Sequence, residues 1–115
     1  MARNCVRLIF GMPHDSLEFQ NKWHSLPLAE QFGNIGSEIS RAIKWKEKDP
    51  EVYQRALDRA FDLIDLSMSD PRWRGRLKEI VRFRESVGDA MEDGAEYQSS
   101  FEALERYCTQ FVALR

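Results

Sequence analysis

Three sets of side chains in this sequence have the types and spacing to do chemistry. Asp58, Asp62 and Asp65 recur at i, i+4 and i+7, which lines three carboxylates along one helix face. Such a row is the raw material of a cation site or of general acid–base work. Arg74, Lys78 and Arg82 recur at i, i+4 and i+8, a cationic ridge with the spacing to track phosphates. Arg84 falls near the centre of an apolar stripe, where a charge needs a partner. Glu38 and Glu105, each at the edge of its own helix's apolar face, are the candidates for a buried ion pair with it.

Each set also has a plainer reading. On a helical wheel the aspartates lie opposite Tyr53, Leu57 and Ile64 and so face outward. Metal sites in helix bundles are built instead from carboxylates projecting inward on facing helices. The Glu-x-x-His pattern of di-iron bundles is absent, and His14 and His24 fall outside the expected core. No metal and no cofactor are therefore expected. The basic ridge reads first as a solvated face paired with the helix before it, because the chain carries a net charge of −2 and has a pI near 5.7. Nucleic-acid contact is the alternative. Arg84 has two readings, a snorkelling stem whose head escapes to water or an ion pair at a pocket or subunit contact. No Ser-His-Asp or Cys-His arrangement can be placed. Gly33-Asn34-Ile35-Gly36 does not follow a strand, so it is not a phosphate loop. No catalytic residue is assigned, and an enzyme is not expected.

The elements that must carry these residues are helices. The chain has 115 residues, 43% hydrophobic and 31% charged, which fits one domain with a modest core and is too apolar for disorder. Ser25 and Pro27 open a first helix from about Leu26 to Lys48, with Leu28, Phe32, Ile35, Ile39, Ala42 and Ile43 on one face. Asp49-Pro50-Glu51 opens a second, with Tyr53, Ala56, Leu57, Ala60, Leu63, Ile64 and Met68 inward, ending near Ser67–Ser69. Asp70-Pro71 opens a third, lined by Trp73, Leu77, Ile80, Val81, Val87 and Met91 and ending near Gly94. Ser99 or Ser100 opens a fourth; Ser99 with Glu102 makes a capping box, and Phe101, Leu104, Cys108, Phe111 and Val112 form the apolar face. Four amphipathic helices with short loops predict an all-α, antiparallel up-and-down four-helix bundle over 25–115. Residues 1–24 form an N-terminal extension, a short strand through Val6, Leu8 and Phe10 or a loose arm.

Charge supports that topology. The third helix is basic in its first half and acidic in its second, against its own macrodipole. In an up-and-down bundle its basic start lies beside the acidic end of the second helix. Its acidic end, Glu85 to Asp93, comes near Arg41 to Lys48. Each exposed pair contributes only about 0–1 kcal/mol, so the pattern selects register more than it stabilises.

One line of residues points to packing. Ala29, Gly33, Gly36 and Ser40 recur at i, i+4, i+7 and i+11 inside the first helix. Gly in a helix costs about 0.8–1 kcal/mol relative to Ala, so two within one turn mark where a second helix comes close. That helix belongs to this chain or to a neighbour. Trp23, Trp45 and Trp73 read as core or interface anchors, and Leu66 points outward on the second helix, which suits an oligomer contact. Cys108 reads as a small buried hydrophobe; Cys5 is the only other cysteine. No apolar run approaches the ~20 residues of a membrane span. Leu8-Ile9-Phe10 is too short for a signal-peptide core, and a cytoplasmic location is expected.

The stretch Lys22 to Glu38 (KWHSLPLAEQFGNIGSE), with Arg41-Ala42-Ile43-Lys44-Trp45-Lys46 and Asp70-Pro71-Arg72-Trp73-Arg74, resembles a small uncharacterised family of prokaryotic helical-bundle proteins. The resemblance covers about 22–115. It implies an all-helical fold and brings no catalytic or binding residues. In size and layout alone the chain is also similar to ring-forming, nucleic-acid-associated bacterial bundles, a likeness of architecture that does not imply function. The expected function is a protein–protein interaction or self-assembly module without catalytic activity, a homo-oligomer or a binder of a protein partner.

Overall fold

The computed structural model describes residues 16–94 and 98–113. Among them are five α-helices, one 3-10 segment and no strand: α1 (Leu17–Trp23), α2 (Leu28–Trp45), α3 (Pro50–Met68), the 3-10 segment Pro71–Arg76, α4 (Leu77–Met91) and α5 (Phe101–Ala113). The strand or arm expected through Val6 to Phe10, with Cys5 and His14, lies outside the described residues.

The first difference from the expected organisation is α1, which falls inside the stretch read as an extension. Seven residues are too few to hold a helix alone in water. Ser16 caps it by accepting from the Phe19 N–H at 3.0 Å. Phe19 and Trp23 are fully buried, and full burial of one large apolar side chain contributes about 1.5–3 kcal/mol. Among the described residues the core thus begins at Phe19, not at Leu28. Two apolar residues four apart are too little periodicity to announce a helix.

The later helices open as their cap residues dictate. Asp49 accepts from the N–H groups of Glu51 and Val52, ahead of Pro50 at the first position. Asp70 accepts from the Arg72 N–H. One expected cap, Ser25, is replaced, and of the two serines offered for the last helix only one caps it. Ser25 bonds back to the Lys22 carbonyl, so α2 opens at Pro27 with no side-chain cap. At α5 the capping oxygen is that of Ser100, which accepts from Ala103 N–H at 3.1 Å; the Ser99 N–H is instead donated to Asp89 Oδ2 at 2.9 Å. The third expected helix is in two pieces, because Trp73 leaves helical geometry (φ −102°, ψ 17°) before α4 begins.

The core gathers Phe32, Ile35 and Ile39 of α2, Leu57, Leu63 and Ile64 of α3, Ile80 and Val87 of α4, and Phe101 and Leu104 of α5. Phe32 meets Phe83, Tyr107 and Phe111 with ring centroids 5.2, 5.9 and 4.6 Å away. α2 packs most extensively of all, against both α3 and α5. Phe83 is buried at the α4 stripe centre. Leu66, expected to point outward, is half-buried and packed on the core, and Trp45 is half-buried. No described helix is long and apolar enough to cross a membrane.

Candidate functional site

The small-residue line is occupied from within the chain. A Cβ placed on Gly36 would sit 2.8 Å from the Cβ of Cys108, so α5 crosses α2 at this glycine. Ala29 and Gly36 are buried, and Ser40 donates to the Glu105 carboxylate. Gly33 and Ser40 stay half-exposed, beside an open groove of about 410 Å³ shared with Ser37 and Thr109. Cys108 is 2% exposed, and its thiol is pushed up to about 12 by burial and then by the charge of Glu105.

The ion pair proposed for Arg84 with Glu38 or Glu105 is not formed. Arg84 donates its Nε to Asp65 Oδ1 at 2.7 Å and lies 5.0 Å over the Phe61 ring. The physical reason is phase: Phe83, one residue earlier, takes the core position and turns Arg84 to the edge that faces α3. Glu105 serves Ser40 instead. Glu38 is buried with its carboxylate 3.6 Å from Arg59 Nε and 3.9 Å from Arg41 Nε. Among the described residues neither of its oxygens accepts a hydrogen bond, and the Asn34 amide oxygen one turn earlier is likewise without one. Burial pushes the Glu38 pKa up, and the two guanidiniums offset only part of that.

The charge-based pairings hold at two places. Lys46 Nζ lies 3.4 Å from Asp93 Oδ1, joining the basic end of α2 to the acidic end of α4. Asp65 meets Arg84 across α3 and α4. The ridge of Arg74, Lys78 and Arg82 is exposed, but it spans two elements. Arg74 belongs to the 3-10 segment, so the helical spacing holds only from Lys78 onward. Asp58, Asp62 and Asp65 all face out. No cluster of three metal-ligating groups occurs among the described residues.

One buried polar centre had no forecast. Gln31, fully buried on α2, donates to the Trp23 carbonyl at 2.8 Å. Its side-chain oxygen accepts from Ser67 Oγ at 2.8 Å and from Trp73 Nε1 at 2.9 Å. Trp23 Nε1 donates to the same Ser67 hydroxyl at 3.1 Å. Beside it Arg72 holds Asp70 at 2.7 Å and the Leu26 carbonyl at 2.8 Å. Burial alone would raise Asp70, but the hydrogen bonds and charge of Arg72 outweigh it and hold the carboxyl below its ordinary value. This satisfied network clamps α1, the 3-10 segment and the α2–α3 pair together. The signal in the sequence was a glutamine on an apolar face, between Leu28 and Ile35.

A cleft lies between α4 and α5 and has two compartments. The larger, about 390 Å³, has Phe83, Leu104 and Tyr107 in its walls. The smaller, about 190 Å³, is lined by Arg82, Glu85, Ser86 and Ser99. Arg82, Ser86 and Ser99 belong to both. The 98–100 segment reaches this position because Gly94 has φ +76°; a Cβ there would lie 2.8 Å from the Ser99 carbonyl oxygen. Tyr107 donates its hydroxyl to Glu79, which Arg76 also holds at 2.9 Å. Burial first, and then the hydrogen bond to Glu79 and its charge, raise the Tyr107 phenol. Burial opposes ionisation of Glu79, yet its bonds from Tyr107 and Arg76 leave it below its ordinary value.

Comparison with protein-family models, with curated proteins and with solved structures found no match.

Proposed function

We propose that this chain is a non-catalytic helical-bundle interaction module that self-associates through the α3–α4 face. The bundle is read as antiparallel and up-and-down over α2–α5, with α1 added at its start. Its support is the order of the contacts. Gln31–Ser67 and Glu38–Arg59 run oppositely along α2 and α3, and Gly36–Cys108 and Ser40–Glu105 do the same along α2 and α5.

The observation that carries the functional reading is the makeup of one face. Leu77, Val81 and Gly88 share the side of α4 that holds Arg84 against α3. Leu77 is 39% exposed, Val81 is half-buried, and a Cβ on Gly88 would meet nothing within 4 Å. Phe61, half-buried, continues the strip onto α3. Exposed Asp58, Asp62 and Asp65 give α3 an acidic flank, and exposed Arg74 and Lys78 give the 3-10 segment and the start of α4 a basic one. A two-fold axis through such a strip brings the acidic flank of one copy onto the basic flank of the other, which is the self-complementarity an isologous dimer requires.

Light scattering across micromolar concentrations tests this. A dimer that weakens with salt is expected, as is a monomeric Val81→Glu variant that keeps its helical circular dichroism. A strict monomer at low salt, or a Val81→Glu variant that still dimerises, overturns the proposal. Salt-sensitive retention on heparin that is lost in Lys78→Glu, without dimerisation, would transfer the basic flank to nucleic-acid binding instead.

A further inference from the structure

We infer that the two-compartment cleft between α4 and α5 binds a small α-amino acid with a large apolar side chain. This site lies on the opposite side of α4 from the proposed dimer face, so the two readings stand separately.

Size comes first. Small-ligand sites run about 300–1,000 Å³, and the larger compartment, an open cleft of about 390 Å³, is of that size. Its apolar lining comes from Phe83, Leu104 and Tyr107. Phe83 and Tyr107 lie 5.5 Å apart, centroid to centroid, tilted by 31°. These surfaces suit an aryl or long aliphatic group. The carboxylate there is already engaged: Glu79 is held by Arg76 and by Tyr107. A charged ligand head therefore finds its partners at the edge shared with the smaller compartment, where Arg82 lies.

The smaller compartment supplies the head-group chemistry. It offers one guanidinium, one carboxylate and two hydroxyls, from Arg82, Glu85, Ser86 and Ser99. Arg82 and Glu85 are three residues apart on one helix and both exposed, yet no ion pair joins them within 4.0 Å. A lone carboxylate head would satisfy Arg82 but meet repulsion from Glu85; a lone amine would do the reverse. A zwitterion matches both, its carboxylate on Arg82 and its ammonium on Glu85, with the seryl hydroxyls able to donate or accept as needed. The shared lining residues make the two compartments contiguous, so one small molecule with its charged and apolar ends on a single carbon can enter both.

The test uses three probes with the same ring and different heads: L-phenylalanine, 3-phenylpropanoate and 2-phenylethylamine. Each is titrated into the ¹⁵N-labelled full chain while amide shifts are followed. Saturable shifts at Ser86, Ser99, Ala103 and Leu104 are expected with phenylalanine, at least threefold tighter than with either analogue, the scale of a partly exposed charge pair. Arg82→Ala should weaken phenylalanine at least threefold and tighten phenylethylamine, whose ammonium it frees from a repulsion. Glu85→Gln should weaken phenylalanine and tighten phenylpropanoate, whose carboxylate it frees from a repulsion. Both residues are exposed, so neither change threatens the fold. Ala103→Phe, which fills the cleft mouth from an exposed position, should abolish all three titrations. Equal affinity for the three probes, absence of saturation by phenylalanine into the tens of millimolar, or indifference to Arg82→Ala overturns the assignment.

Discussion

Replacing Gly36 by Ala sets two effects of known sign against each other. The substitution removes a helix-interior glycine, which alone should stabilise by about 0.8–1 kcal/mol. Against this, the new methyl would sit 2.8 Å from Cys108 Cβ, about 0.6 Å short of the 3.4 Å at which ordinary contact begins. That neighbour is a Cβ, fixed to the α5 backbone, so no rotamer change relieves the clash and the helix itself must move. Overpacking of this kind costs typically about 1–3 kcal/mol. The balance is a net destabilisation of up to about 2 kcal/mol, read as a lower urea midpoint with an unchanged slope. The cause is separable by partner substitution. Cys108→Ala keeps the offending Cβ and should rescue nothing. Cys108→Gly removes it, and in the double-mutant cycle it should return a coupling of about 1 kcal/mol or more. A Gly36→Ala protein more stable than the parent by the full propensity gain would show that α5 does not approach α2 here. Equal rescue by Cys108→Ala and Cys108→Gly would refute the geometric account.

Three further outcomes follow from buried titratable groups. Glu38 has a raised folded pKa, so its ionised form costs stability at neutral pH and the cost fades as pH falls toward its unfolded value. Glu38→Gln should therefore be more stable than the parent at pH 7 by about 1 kcal/mol, with the gap closing in urea melts near pH 4.5; a pH-independent difference contradicts this. Asp70 behaves oppositely, since Arg72 lowers its folded pKa. Its contribution is fully present above the unfolded value and is lost as pH falls through the folded one. Asp70→Asn should cost about 1–2 kcal/mol at pH 7 and progressively less below pH 4 in thermal melts. Cys108, at 2% exposure and with its thiol raised to about 12, should resist iodoacetamide at pH 8 in a Cys5→Ser background and react at once in urea; rapid native labelling would place it at the surface.

Much of the helical scaffold was readable because its signals are local. Asp49-Pro50 and Asp70-Pro71 cap helix starts within three residues, and the apolar stripe of α2 repeats over five turns. The charge pairing of Lys46 with Asp93 was readable too, because opposite charges were segregated by half-helix. Phase along α4 was not. Phe83 and Arg84 are adjacent, and a stripe anchored on Leu77 and Val81 centres on the arginine, whereas one anchored on Ile80 and Val87 centres on the phenylalanine. Only packing against Phe32 and Tyr107 decides between them. Gln31 stayed hidden for a related reason: its partners come from 8, 36, 39 and 42 residues away.

The sequence by itself determined that this chain is helical, that Asp49-Pro50 and Asp70-Pro71 open helical segments, and that something must come within contact distance of Gly36. Those are properties of residues within a few positions of one another, fixed by capping, periodicity and the absent Cβ. Tertiary structure alone decided that the visitor at Gly36 is Cys108 of the same chain. It also decided that Arg84 answers to Asp65, and that Arg82, Glu85, Ser86 and Ser99 converge on one cleft. Such outcomes depend on which face each helix turns to its neighbours. Burial energy summed over the whole core sets that rotation, and no single stretch of sequence contains it.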